Sequence, residues 1–307
     1  MSTGEPEATI AIPAHDARSR IGQVLEALAA QQGPPAFELL VVDNASRDGT
    51  AEAVLAHPAT RAIEGRGMAV RVVREDQLGL THARRRAVRE ARGALVCFLD
   101  DDTVPSPTYV ATGVAAMSDP RVGLLVSRVS PEWVDHPPPP SLARRAHLFA
   151  VNEALGDAPI EWTATIAPTL GAGMWVRRQA FLECVDHSPS LMADRQGRAL
   201  TSGGDIEIGC LIGRGGWRRL YVPGLRLSHR IPGRRFELSY ACRLIWGIER
   251  STATIESRYG SPPSRVKAAV GLAIAVSAAP LLLLRRDGAR ELVFALTRRA
   301  GRLRGPL

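Results

Sequence analysis

The chain has 307 residues, of which 45% are apolar and 23% charged, enough to bury a large core and too apolar for disorder throughout. Its 39 Lys+Arg against 31 Asp+Glu leave a net charge of +8, which suits a polyanionic ligand or an anionic membrane surface. Its length excludes a disulfide-stapled miniprotein, aromatics at 5% argue against single-stranded nucleic-acid binding by stacking, and the four dispersed cysteines, with neither CxxC nor CxxH spacing, indicate no zinc site or thioredoxin-like motif.

The N-terminal residues lack a basic region followed by an apolar core, so no signal peptide is expected, and reduced thiols and a cytoplasmic location follow. Apolar runs at 8–12, 38–42, 70–73 and 94–99 predict strands. Between the first two, Ile21, Val24, Leu25 and Leu28 recur at helical spacing. The segment 51–56 continues from a cap-like turn at 46–50, and 81–92 reads as a helix with Thr81 at its N-cap. Alternation of this kind predicts a mostly parallel α/β sheet. Residues 129–141 contain Pro131 and the proline run 137–140, which predicts a loop over a site or toward a partner. A strand-like pattern returns at 171–176, a helix at 205–213, and strand and turn at 218–222 and 225–229.

After Pro232 the composition shifts. Residues 237–250 read as a helix, and 268–284 form an uncharged stretch of 17 residues, interrupted by Pro280 and flanked by Arg265, Lys267, Arg285 and Arg286. Leu292, Val293, Phe294 and Leu296 then stand opposite Arg290, Arg298 and Arg299. Two helices packed on the main body and a segment lying on an anionic membrane surface both fit this pattern; the short length and Pro280 argue against a span.

The strongest chemical signal is Cys97-Phe98-Leu99-Asp100-Asp101-Asp102, an apolar strand ending in three carboxylates. Ligands of open α/β sheets bind beyond the carboxyl ends of strands. Alternation lets Asp100 and Asp102 face one way while Asp101 turns aside, and close like charges need a cation such as Mg²⁺ or Mn²⁺. A second strand ends at Asp43, followed by Asn44, Ser46, Asp48 and Thr50, of which the last two are suited to capping the next helix. Taken alone, the acidic run also fits a solvated turn, Asp205 a plain N-cap, and His229 a surface histidine before Pro232. No GxGxxG follows the first strand and no GxxxxGK[ST] occurs, which removes the nicotinamide-dependent and phosphate-loop classes.

Together these segments resemble a family 2 glycosyltransferase with the GT-A fold. The resemblance rests on Ile12-Pro13-Ala14-His15-Asp16, Val42-Asp43-Asn44-Ala45-Ser46, the helix from Gly79 to Ala87, and Leu99-Asp100-Asp101-Asp102 with Pro105. It continues through Gly171-Ala172-Gly173, Gly203-Gly204-Asp205-Ile206-Glu207 and Gly216-Trp217 to Ser228-His229, covering about residues 8–232. Departures are Arg85, where the family has a smaller amide, and Gly204, where relatives often carry a carboxylate. The resemblance implies a Rossmann-like, mixed and mostly parallel sheet flanked by helices, with a catalytic domain at 1–232 and a helical extension at 233–307. It implies an inverting transfer of sugar from a nucleotide-diphosphate donor, expected to be a UDP-sugar, to a hydroxyl of a glycan, lipid-linked or natural-product acceptor. In that reading Pro13, Ala14, Asp16, Asp43, Arg84, Asp100 and Asp101 line the donor nucleotide. Asp102 and His229 hold Mg²⁺ or Mn²⁺, and Asp205 is the general base. No nucleic-acid partner is expected; the location expected is cytoplasmic, with the extension either packed on the body or lying at the inner face of the membrane. The rival readings are a nucleotidyltransferase-like enzyme, which leaves Asp205 and His229 without a joint role, and a catalytically silent membrane-associated binding protein.

Overall fold

The computed structural model describes residues 5–189, 192, 194, 200–260, 264–283 and 287–305, apart from the side chains of residues 265, 281 and 282. The strands are β1 Ala8–Ala14, β2 Phe37–Asn44, β3 Val70–Glu75, β4 Leu95–Phe98, β5 Thr103–Pro105, β6 Val122–Trp133, β7 Ile160–Glu161, β8 Met174–Arg177 and β9 Arg218–Ile231. The helices are α1 Gly22–Ala29, α2 Thr50–Ala56, α3 Pro58–Gly65, α4 Leu80–Glu90, α5 Tyr109–Ala116, α6 Pro140–Ala143 and α7 Arg178–Phe181. They are followed by α8 Gly204–Arg214, α9 Leu238–Tyr259, α10 Arg265–Ser277, α11 Ala279–Leu283 and α12 Gly288–Arg304.

The strands form one mixed sheet in the order β3-β2-β1-β4-β8-β6-β9-β5, with β7 also on β9. β3, β2, β1 and β4 are parallel, β8 opposes both β4 and β6, and β6 and β9 are parallel. The two faces divide the apolar runs. Ile10, Ile12, Leu39 and Val41 pack with Val24 and Leu25 of α1 and Ile63 of α3. Ala11, Leu40 and Val42 face Ala83, Ala87 and Val88 of α4, on the side that also holds Ile208 and Ile212 of α8. A strand covered on both faces reads as a continuous apolar run, which is why β1, β2 and β4 are plain in the sequence. Register places Pro13 beside Val42 and Ala14 beside Asp43, while Ala11 sits beside Phe98 on the other flank. The ends of β1, β2 and β4 therefore share one edge.

Three expectations are corrected here. Residues 129–133 are not a loop but the second half of β6, paired with β9 so that Pro131 lies opposite His229. β6 contacts β8 only at Leu124 and Leu125, so among the described residues the Pro131 side has no strand neighbour to want its missing N–H. Residues 218–231 are one strand and not a strand and turn; the register jump from Val222 to Arg226 absorbs Pro223 and Gly224 in a bulge. Thr81 lies inside α4, whose N-cap is Gly79 at φ 143°.

The C-terminal helices are present. Phe294 of α12 enters a cluster with Leu244 and Ile245 of α9, Leu142 of α6 and Phe149. Arg298 and Arg302 of α12 pair with Glu249 of α9 at 2.8 and 2.7 Å, so Arg298 is tied to α9 while its side chain stays largely exposed. The uncharged stretch is split at Ala278 into α10 and α11, and among the described residues no helix is long and apolar enough to cross a membrane. Arg285 and Arg286 lie outside the described residues, as does the side chain of Arg265.

Candidate active site

The loops leaving β1 and β2 are stitched together by short polar side chains. Asp16, in the left-handed region at φ 46°, accepts the Arg47 N–H at 2.8 Å, and its own N–H donates to Ser46 Oγ at 3.0 Å. The Ala17 N–H donates to Thr50 Oγ1 at 2.8 Å and the Arg18 N–H to Asp48 Oδ2 at 2.9 Å. Ser46, Asp48 and Thr50 thus join two loops, and Gly49 at φ 80° is the N-cap of α2. Asp43 is buried, accepts the Ser46 N–H at 3.1 Å and faces Arg74 Nη1 at 3.2 Å. Pro13 and Ala14 are the buried last residues of β1 beside it.

β4 feeds directly into the three acids, and each is treated differently. The carbonyl of Asp100 accepts from the Thr103 N–H at 3.1 Å and from Oγ1 at 2.8 Å, closing a tight turn. Asp101 turns inward to a fork from Arg20 Nε and Nη2 at 2.7 and 2.8 Å; burial pushes its carboxyl up and the fork pulls against that shift. Arg20 also donates to the carbonyls of Asp16 and His15 at 2.7 and 2.9 Å, tying the acidic turn to the β1 loop.

Asp102 is set by the β5–β9 pairing, which puts Thr103 opposite His229 and lets the Arg230 N–H donate to the Asp102 carbonyl at 2.9 Å. Its Oδ2 lies 3.4 Å from His229 Nε2 and 2.8 Å from Arg235 Nη2. Buried His229 places Nδ1 2.7 Å from the Phe149 carbonyl, which can only accept. That nitrogen therefore carries the proton, and the Nε2 lone pair is left for Arg235 Nη1 at 3.0 Å. Two lone-pair groups this close need a cation between them, and the guanidinium supplies it. An imidazole with a carbonyl-fixed tautomer beside a carboxylate is also a donor set that Mn²⁺ accepts, so the residues fit a divalent ion. Among the described residues no cluster of three or more His, Cys, Asp or Glu suited to a metal occurs, so further ligands would come from the bound substrate. Arg235 was not visible in the sequence, where nothing separates it from Arg234. The turn Gly233–Phe236 fixes it, with Phe236 edge-on to Trp133 and Phe149 at 5.6 and 5.9 Å.

Asp205 sits in the first turn of α8, after Gly203 at φ 120°. Its Oδ1 accepts the Ile206 N–H at 2.9 Å and its Oδ2 the Gly171 N–H at 2.8 Å. Two residues on, the Gly173 N–H donates to the Phe98 carbonyl at 2.9 Å, so one turn connects Asp205 to the end of β4. Arg84 of α4 is buried on this same side: its guanidinium lies against Gly171, stands 5.8 Å from the Phe98 ring centroid, and faces Asp194 Oδ2 at 3.7 Å. A Cβ on Gly171 would come within 1.9 Å of Arg84 Nη2, which is why that position carries no side chain. Asp194 is a further acid that sequence reasoning missed, since it stands in a polar segment with no periodic pattern. It accepts the Gly204 N–H at 2.8 Å and the Thr81 hydroxyl at 3.2 Å, and burial pushes its carboxyl up to about 6.

The mixed, mostly parallel sheet with helices on both faces and acids along the strand ends matches GT-A neighbours in architecture. Residues 9–185 match the family model for glycosyl transferase family 2, and the chain belongs to that family. Glycosyltransferase AglE of Haloferax volcanii is 30% identical over 130 residues, 42% of this chain and 41% of that protein. The uncharacterized glycosyltransferase YfnE of Bacillus subtilis is 31% identical over 116 residues, 36% of this chain and 26% of that protein. The matched segments thus span less than half of either relative. In fold, the mannosyltransferase PcManGT of Pyrobaculum calidifontis, solved with GDP-Man and Mn²⁺, is similar at TM-score 0.65 and 20% identity, over 98% of this chain and 88% of that one.

Proposed function

We propose that this protein is an inverting glycosyltransferase that moves a sugar from a nucleoside-diphosphate donor to an acceptor hydroxyl. The observation that supports the reading is the Asp102–His229 pair, with Nε2 and Oδ2 3.4 Å apart and a cation, the Arg235 guanidinium, bonded to both, at the end of the strand that leads into the acids. A donor nucleotide would lie along Pro13, Ala14, Asp16 and Asp43, with Asp100 and Asp101 beneath it and Arg20 keeping that floor rigid; Arg84, expected from the sequence to line the nucleotide, is buried against Gly171 and Asp194 and is not proposed as a donor contact. Asp102 and His229 would hold Mn²⁺ or Mg²⁺, which when bound neutralises charge growing on the leaving diphosphate. Arg235, which bonds to both groups, would release the single Nε2 lone pair to the ion and stay on Asp102 as a second cation beside it. Asp205 takes the proton from the acceptor hydroxyl, and a single displacement inverts the anomeric carbon.

Residues 1–232 would form the catalytic domain and 233–307 the extension. The outward face of α10 supports contact with an anionic lipid surface and a lipid-linked acceptor, since Val266, Val270 and Ile274 are 72%, 54% and 63% exposed beside Lys267. The test is release of nucleoside diphosphate from UDP-, GDP- and dTDP-sugars, with and without Mn²⁺. Mn²⁺-dependent turnover of one donor, lost in Asp102→Asn, is the expected result. Failure with every donor and a range of glycan and lipid-linked acceptors would refute the reading.

A further inference from the structure

A general base has to stay free of a permanent cation, yet a buried guanidinium, that of Arg84, packs on Gly171, the residue whose N–H is bonded to the Asp205 carboxylate at 2.8 Å. A cation so near would lower the basicity of Asp205 if it turned onto it, because an opposite charge within about 4–6 Å favours the ionised carboxylate. Among the described residues Arg84 has one carboxylate partner, and it is Asp194 at 3.7 Å, not Asp205. Arg84 Nε is buried without a hydrogen-bond partner, so little besides that charge holds the guanidinium in place.

The location of Asp194 is specific. Its Oδ1 accepts the Gly204 N–H at 2.8 Å, which caps α8 one residue before Asp205. Its Oδ2 accepts from Thr81 Oγ1 at 3.2 Å, so α4 and α8 are joined through one carboxylate. A Cβ on Gly204 would fall 2.1 Å from Asp194 Oδ2: the carboxylate fills the space into which a side chain at 204 would project. The other charged groups nearby are otherwise engaged. Glu207 is buried with the Tyr259 hydroxyl at 3.4 Å, and Arg85 turns to the carbonyls of Val185 and Ser188.

We propose that Asp194 is a positioning residue that holds Arg84 away from Asp205 and fixes the turn that presents Asp205, so that the latter remains an unpaired base. This rests on the reading of Asp205 as the base. The chemistry assigns Asp194 no contact with substrate; it acts through Arg84 and through the first turn of α8.

Asp194→Asn keeps the shape and the Gly204 contact while removing the charge. It lowers kcat by about tenfold, leaves donor KM unchanged, and moves the acidic limb of the pH–rate profile to lower pH, since Arg84 is released toward Asp205. Adding Arg84→Gln in the same chain returns the limb to its wild-type position, a non-additivity that a purely structural role for Asp194 would not produce. An unmoved limb in Asp194→Asn, or a limb still displaced in the double variant, overturns the proposal. Melting curves separate misfolding from either result, and Asp194→Ser, which also removes the charge while keeping a small hydrogen-bond acceptor, provides the profile if the amide variant does not fold. The Asp205→Asn profile distinguishes the underlying reading. If its acidic limb persists, the base is elsewhere; if that limb vanishes while Asp194→Asn leaves it in place, only the role of Asp194 fails.

Discussion

The acids at the strand edge and the acid at the start of α8 are managed in opposite ways. Along the edge, Asp43 faces Arg74, Asp101 is forked by Arg20, and Asp102 is held by Arg235. Asp205 has two backbone N–H donors and, among the described residues, no ion-pair partner, while Asp194 engages the one buried arginine nearby. Carboxylates each matched to an arginine leave that edge locally charge-balanced, which is the setting the proposed donor site would use. Among the described residues Asp205 is instead held by backbone N–H groups alone, which orient the carboxylate without placing a cation on it. In the proposed function the same residue type would carry two chemistries, on either side of the turn that runs from Gly171 to Gly173.

Breaking the edge should have the largest effect. Asp102→Asn is expected to lower turnover by about 10³-fold with an unchanged circular dichroism spectrum, since several kcal/mol of charge stabilisation on the leaving group depends on it. Steady-state kinetics at saturating Mn²⁺ checks this, and wild-type turnover would remove Asp102 from the site. Asp205→Asn should lower kcat by about 10²-fold, the usual scale of a lost base. A third substitution sharpens the contrast between the site and the extension: Val270→Glu with Ile274→Glu should reduce co-sedimentation with anionic vesicles about tenfold while leaving turnover of a water-soluble acceptor unchanged, because both side chains face outward. Equal sedimentation of variant and wild type would reject a lipid contact through α10.

The smallest effect is on stability. Asp194 binds its proton more tightly folded than unfolded, because burial lifts it from the ordinary 3.8 to about 6. Its contribution therefore favours the folded state at low pH and is lost as pH rises through that window, becoming level above it. Melting temperatures of wild type and Asp194→Asn across the window should diverge with that sign. Parallel curves would show that Asp194 does not titrate on folding.

Legibility followed from how local each cause is. β1, β2 and β4 are apolar runs whose strand ends carry acids, so the edge and the residues Asp43 and Asp100 to Asp102 could be read directly. β5 has three residues and owes its existence to β9, more than a hundred positions away, which no local pattern announces. Pro131 and Pro223 look like breakers in the sequence, and only an unpaired strand side and a bulge, both tertiary facts, make room for them. Arg235 and Asp194 share that property. One is an arginine in a basic pair, the other an aspartate in a polar segment, and each gains meaning from a partner brought near by the fold.

The separation between the two sides is tested most directly by calorimetric titration of the donor nucleoside diphosphate with Mn²⁺ into Asp102→Asn and Asp205→Asn. The account predicts that Asp102→Asn loses at least about tenfold in affinity, since a charge-assisted contact is worth more than 1.4 kcal/mol, while Asp205→Asn binds as wild type does. Parallel loss of affinity in both variants would contradict it, placing Asp205 on the donor side with the other acids.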